Sequence, residues 1–310
     1  MQMRLGHLNK TSLSKMGYKM ASEPCKACSV GEFPKVKYSK VRVHPSVSPL
    51  QNVHMDLSGK QMVTSFGGNS YFLSIIDHFS RFSWVFFLKQ KSDASPVIKN
   101  WLVNVERQTE RKVKRIITDS GGEFVNKDLS NYFGTIGLEH RANIPYEHEM
   151  NGLVERLNRT LMTKARKMLF NANLNVRWWC EAVFMANIYH NISYTKSIDC
   201  TPYKKFYDQD FPLYNQLKVF GCTAICRIPK EKRKKLQPQG KKLIFMGFDK
   251  DWMYKLYDET TNTMTKCRNV IFFEEEFKTE KTENFLEFQP SLPEEEESKF
   301  KSKIDNNKIK

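Results

Sequence analysis

Three acidic side chains carry the clearest chemistry in this sequence. Asp119 lies in Ile116-Ile117-Thr118-Asp119-Ser120-Gly121-Gly122-Glu123-Phe124. Glu155 lies in Asn151-Gly152-Leu153-Val154-Glu155-Arg156-Leu157-Asn158-Arg159, with 35 residues between the two acids. Asp56 ends the apolar run Val53-His54-Met55-Asp56 upstream. Hard divalent cations such as Mg²⁺ prefer carboxylate oxygen, and a pair of them can clamp both oxygens of a phosphoryl displacement. Singly, each acid could be an ordinary surface carboxylate. Gly121-Gly122 behind one acid and a basic helix around another favour a shared site, where three like charges would repel without a cation. Asp77 and Glu123 read as structural or as supports behind the metal ligands.

Two further sets of residues could bind. His7 and the pair Cys25-Lys26-Ala27-Cys28 have the types and spacing of a zinc site. Residues 1–44 hold too little apolar material for a core, so a metal staple is the natural way to order them. A closed structural site needs four ligands, and only His7, Cys25 and Cys28 are evident; His44 or His54 could supply the fourth. The other set is basic. Arg159 and Arg166 follow Glu155 on one helix face, and Lys232, Arg233, Lys234, Lys235, Lys241 and Lys242 form a run. Such residues either solvate a loop or contact phosphates, positioning DNA without reading its sequence.

Composition narrows the partner. The 310 residues carry 50 Lys and Arg against 34 Asp and Glu, a net charge of +16, which favours a polyanion. No apolar run reaches the length of a membrane span and the amino terminus lacks a signal-peptide core, so nucleic acid is preferred over a membrane surface. The 7 cysteines are an odd count, mostly scattered, and read as reduced thiols.

The elements that must position the acids follow from pattern. Val53–Leu57, Tyr71–Asp77, Ser83–Leu88 and Val113–Thr118 read as strands, with a turn at Ser80-Arg81. Glu139–Ile144 reads as a fifth. Ser92-Asp93 opens a helix through Ile98, Trp101, Leu102 and Val105, and Asn126 opens a shorter one with Leu129, Tyr132 and Phe133. A loop, Pro145–Met150, leads into a long helix from about Asn151 to Phe170, whose core face is Leu153, Val154, Leu157, Leu161, Ala165 and Leu169. Glu155, Arg159, Met162 and Arg166 fall on another face. Asp56 and Asp119 each close a strand at its carboxyl end, where α/β sheets place their sites. Residues 174–210 read as helical, with Trp178 and Trp179 in the core. Val219–Ile228, Lys242–Phe248, Tyr254–Asp258 and Met264–Phe273 read as strands of a small barrel. The fold class is α/β: a ribonuclease-H-like core with a mixed five-stranded sheet and helices, preceded by a zinc-binding-like segment and followed by a β-barrel-like domain.

In this order and at these spacings, the chain closely resembles the integrase segment of a copia-type retrotransposon Pol polyprotein. The resemblance rests on Leu5-Gly6-His7, Cys25-Lys26-Ala27-Cys28, His54-Met55-Asp56-Leu57-Ser58-Gly59, Ile76-Asp77-His78-Phe79-Ser80-Arg81-Phe82, Thr118-Asp119-Ser120-Gly121-Gly122-Glu123-Phe124, Asn151-Gly152-Leu153-Val154-Glu155-Arg156 and Val219-Phe220-Gly221-Cys222. It implies boundaries near 1–44 (zinc-binding-like), 45–172 (catalytic core), 173–216 (helical extension), 217–275 (small DNA-binding barrel) and 276–310 (charged, disordered tail). It implies that Asp56, Asp119 and Glu155 bind two Mg²⁺ (or Mn²⁺) ions, process the element's DNA ends and join them to chromosomal DNA. Implied too are double-stranded DNA as partner, a homo-multimer, no membrane, and the nucleus as location, with assembly in cytoplasmic particles. One departure stands out. The resemblance implies a second zinc-binding histidine five residues before His7, and that position is Gln2; either the chain is cut from a longer polyprotein or the site is lost. The alternative is a catalytically inactive or host-adopted DNA-binding remnant.

Overall fold

The computed structural model describes residues 3–18, 25, 27–28, 46–142, 151–229, 235–249 and 251–277. The chain divides into two compact units, Met1–Pro45 and Ser46–Lys310. In the first, helix α1 (Lys10–Lys15) is capped by Asn9, whose side chain accepts from the Ser12 N–H at 2.9 Å. That bond satisfies one of the donors a helix start leaves open.

The second unit begins with β1 (Asn52–Leu57), β2 (Tyr71–Asp77) and β3 (Ser83–Leu88), followed by helix α2 (Ala94–Thr109). Strand β4 (Arg115–Thr118), helix α3 (Lys127–Ile136), strand β5 (Glu139–Ala142) and the long helix α4 (Gly152–Asn171) complete it. The strands form one mixed sheet in the order β3-β2-β1-β4-β5. β1, β2 and β3 pair antiparallel, while β1–β4 and β4–β5 are parallel. This is the ribonuclease-H-like arrangement expected from the pattern.

Period-2 alternation sends Val53 and Met55 to one side of the sheet, where they pack with Ile98, Trp101 and Leu129 of α2 and α3. His54 and Asp56 face the other side, which α4 covers. Val154, Leu157, Leu161, Ala165 and Leu169 recur at helical spacing and are buried there. Leu153, expected with them, is only half-buried. The β2–β3 turn is fixed by Asp77, whose carboxylate accepts from the N–H groups of Leu50 (2.8 Å) and Ser80 (2.7 Å). That is the structural role the sequence suggested for Asp77.

Some boundaries move. α2 starts at Ala94, after a 3₁₀ turn Lys91–Asp93, because the Asp93 carboxylate turns back to accept from the Gln90 N–H at 2.9 Å. Strand β4 begins at Arg115, since Lys114 donates to Leu50 O outside the ladder. The Pro145–Met150 loop and the end of the Glu139–Ile144 strand lie outside the described residues.

Beyond α4 come α5 (Trp179–Ile192) and α6 (Pro202–Tyr207). Then follow the strands β6 (Thr223–Arg227), β7 (Gly240–Phe248), β8 (Tyr254–Asp258), β9 (Thr263–Cys267) and β10 (Val270–Phe273). They pair antiparallel in the order β10-β6-β7-β8-β9. Here two expectations are corrected. Met264–Phe273 is two strands, broken at Arg268-Asn269, and β10 crosses to pair with β6. The two edge strands are thus consecutive in the chain, which curls the sheet. Nor are all cysteines reduced: the same crossing brings Cys267 against Cys226, with Cα atoms 6.5 Å apart, and they form a disulfide. Trp178, Trp179 and the barrel's Phe245 and Leu256 share one hydrophobic core with α4 and the sheet residues Phe72 and Ile76.

Candidate active site and metal centres

Sheet register brings two of the acids level. Asn52 pairs with Arg115, Val53 with Ile116 and His54 with Ile117, a constant offset of 63. The same offset carried past the paired residues relates Asp56 to Asp119, the residue that follows β4. Glu155 enters from the first turn of α4, whose start is tied to β1 by the buried Asn151, donating from Nδ2 to Met55 O at 3.4 Å. One turn on, Asn158 Nδ2 donates to Asp56 Oδ2 at 2.7 Å. Ser74 Oγ donates to Asp56 O at 3.3 Å from the other flank.

The charges of the other two acids act on Asp56. Asp56 is half-buried, while Asp119 and Glu155 are exposed. Burial, then the negative charges of Asp119 and Glu155, push the Asp56 carboxyl up to about 7, although the Asn158 amide and the Leu57 N–H oppose this. Among the described residues, the only metal-competent cluster with all ligand atoms within 4.8 Å is His7, Cys25 and Cys28. The donor set, three carboxylates with one raised by its neighbours' charge, fits a hard divalent cation.

In the loop after Asp119, glycine leaves room for two acidic side chains. Gly121 N–H donates to Asp119 Oδ1 at 3.1 Å. A Cβ on Gly121 would lie 2.8 Å from Glu123 Cδ and 3.1 Å from Asp119 Oδ1. Glu123 is held in turn by Lys91 at 3.6 Å.

In the first unit, His7 Nδ1 lies 3.3 Å from Cys25 Sγ and 3.4 Å from Cys28 Sγ. Tetrahedral zinc with ordinary bond lengths would separate nitrogen and sulfur ligands by about 3.6 Å, so the three converge at a fitting distance. The Cys28 backbone N–H, the largest influence, lowers the Cys25 thiol pKa, which favours the thiolate that metals take. Gln2 and His44 lie outside the described residues. His54 is buried in β1, with Nε2 2.8 Å from His78 Nδ1 and the rings stacked.

Of the basic candidates, Arg159 is exposed one turn beyond Glu155, and Arg166 is half-buried beside Met162. Lys235 and Lys242 are exposed. Lys241 is engaged in an ion pair with Asp258, and that hydrogen bond, with a second from Thr261, holds Asp258 down at about 2. Lys232, Arg233 and Lys234 lie outside the described residues. Sequence reasoning missed Asn151 and Asn158. The signal for Asn158 was its place three residues after Glu155, on the same helix face.

Over residues 47–148 the chain matches the integrase core domain family, and over residues 222–285 the retroviral polymerase SH3-like domain family. Its class is therefore a ribonuclease-H-like integrase core followed by an SH3-like barrel. The retrovirus-related Pol polyprotein from transposon TNT 1-94 of Nicotiana tabacum is 33% identical over 285 residues, 89% of this chain and 21% of that protein. The corresponding polyprotein from transposon RE2 of Arabidopsis thaliana is 29% identical over 225 residues, 72% of this chain and 15% of that one. The chain belongs to the integrase segments of copia-type, retrovirus-related Pol polyproteins, and spans about a fifth or less of the length of these curated relatives. Among solved structures it is similar to the HTLV-2 integrase catalytic core domain in complex with magnesium, at 18% identity over 52% of this chain and 99% of that one, TM-score 0.41. It is also similar to a chain of the simian T-cell lymphotropic virus intasome in complex with PP2A regulatory subunit B56 gamma, at 16% identity over 85% and 94%, TM-score 0.49.

Proposed function

We propose that this chain is a DNA integrase that processes the ends of its element's DNA and transfers them into chromosomal DNA. Asp56, Asp119 and Glu155 are its divalent-metal ligands. The observation that carries the reading is the docking of α4 on β1, where Asn158 donates to Asp56 at 2.7 Å one turn beyond Glu155 and so brings that acid to the end of β1. A protein that holds three acids together at the ends of two strands and a helix, against their repulsion, gains from a cation between them. When bound, a pair of Mg²⁺ or Mn²⁺ ions supplies Lewis-acid polarisation of the phosphodiester and activation of the attacking hydroxyl.

The chain's own residues have separable tasks. Asn158 orients the Asp56 carboxylate, and Gly121 lets the Asp119 loop close without a clash. Arg159 stands one helical turn from Glu155, where it holds a DNA phosphate, and Arg166 extends that line. Lys232, Arg233, Lys234, Lys235 and Lys242 add sequence-independent affinity for double-stranded DNA. His7, Cys25 and Cys28 take Zn²⁺, which orders the first unit. The protein acts as a homo-multimer in the nucleus.

The direct test is strand transfer with the element's own terminal DNA and Mg²⁺. Joined products that vanish with chelator are expected. DNA binding without joining in either Mg²⁺ or Mn²⁺ would refute the assignment.

A further inference from the structure

A groove of the second unit lies away from the acids. It is an open cleft of about 620 Å³ between α4, α5 and the segment that enters the barrel. Its walls are apolar and cationic at once, with Met168, Tyr189, Val219 and Phe220 beside Lys167 and Lys218. Lys218 is engaged by Glu274 at 3.3 Å, and Glu274 also accepts from the Val219 N–H at 3.0 Å. Lys167 is exposed and makes no ion pair among the described residues. Lys164, one turn earlier on α4, is half-buried. Val219 is 40% exposed. Such a surface suits a short segment that offers aromatic and acidic side chains together.

The described chain ends at this groove. Glu274 is part of its wall, and Phe277 packs against the same core. Residues 278–310 lie outside the described structure, and their sequence matches the requirement. It reads Glu283-Asn284-Phe285-Leu286-Glu287-Phe288, and from Glu283 to Glu297 there are 6 acidic and no basic residues in a chain of net charge +16. The 8 residues from Phe277 to Phe285 span at most about 28 Å, ample for a groove that begins three residues before Phe277.

We propose that this groove is the docking site of the chain's own carboxy-terminal segment Phe285–Phe288. Phe285 and Phe288 fill the cleft against Met168, Val219 and Phe220, and Glu287 pairs with Lys167. The inference stands apart from the integrase reading, since it uses neither the acids nor DNA.

The test uses the full chain with benzoylphenylalanine in place of Val219, photolysed in a mixture with isotope-labelled chain that lacks the photoprobe, so that mass spectrometry separates cross-links within one chain from those between two. Cross-links to residues 284–288 of the same chain are expected. Phe285→Ser with Phe288→Ser should cut their yield more than about tenfold, the equivalent of losing one buried aromatic. Lys167→Glu should lower the yield about two- to fivefold, as an exposed ion pair would, and Glu287→Lys in that background should restore it. Phe285 and Phe288 belong to no part of the described core, so their replacement tests docking without removing a core residue. Cross-links that form only between two chains, that map to other segments, or that persist in the double serine variant would overturn the proposal.

Discussion

Asp56→Asn should make the metal-free protein more stable at neutral pH while abolishing strand transfer. The wild-type carboxyl rises from 3.8 to about 7 on folding. At about 1.4 kcal/mol per unit, that shift has an unscreened ceiling of ~4 kcal/mol. Asp56 is only half-buried, and Asp119 and Glu155 are exposed, so solvent screening brings the realistic figure to about 1–3 kcal/mol. The sign follows from linkage. A carboxyl whose folded pKa is raised favours the folded state in its neutral form, so the contribution is intact below about pH 4 and lost as the pH rises towards 7. Asparagine is neutral throughout and nearly isosteric, and its amide oxygen can still accept from Asn158. The assay is urea unfolding in chelator at pH 5 and pH 8. Other shifted groups, such as Asp77 and His190, titrate alike in both proteins, so the expected result is that wild type loses stability relative to Asp56→Asn between these values, leaving the variant ahead at pH 8. Mg²⁺ should reverse the order, because a ligand at a hundred times its dissociation constant adds about 2.7 kcal/mol to a protein that binds it. A variant less stable than wild type in chelator at pH 8, or one stabilised equally by Mg²⁺, would refute the reasoning.

Asp119→Asn and Glu155→Gln should each abolish joining and leave duplex binding within a few-fold of wild type, because these groups hold metal and not DNA; a gel-shift titration beside the joining assay decides it. Replacing Lys232, Arg233, Lys234 and Lys235 with Ala should flatten the slope of log K against log salt by about 0.9 for each phosphate no longer neutralised, and an unchanged slope would reduce the run to a solvated loop. Gln2→His should raise zinc content and the melting temperature of the first unit, since binding energy there is folding energy. If the Gln2 form already holds one zinc per chain as tightly, a residue other than position 2 completes the site.

What the sequence revealed was what local chemistry controls. The short apolar runs Val53–Leu57 and Tyr71–Asp77, the Asn126 cap and the 3.6-residue spacing of α4 are each decided within a few residues, so they were readable. The strand break at Arg268-Asn269 was not. Met264–Phe273 has strand composition throughout, and only pairing with β6, some forty residues earlier, forces the turn. The Cys226–Cys267 pair follows from the same distant crossing, which is why scattered cysteines suggested thiols alone. Lys241 looked like one more member of a basic run because its partner Asp258 sits on the next strand.

The site itself was legible for a different reason. A parallel register needs one number, and once β1 and β4 are neighbours the offset of 63 brings Asp56 level with Asp119 without help from side chains. Glu155 then needs only a helix that starts beside β1, which Asn151 secures. The part that pattern could not supply is the support: Asn158 donating to Asp56 and Gly121 yielding space to Asp119 and Glu123 are contacts between elements with no mark in composition or period. The acids could be named from types and spacing, whereas the groups that hold them in place against their mutual repulsion emerge only when the helix is laid on the sheet.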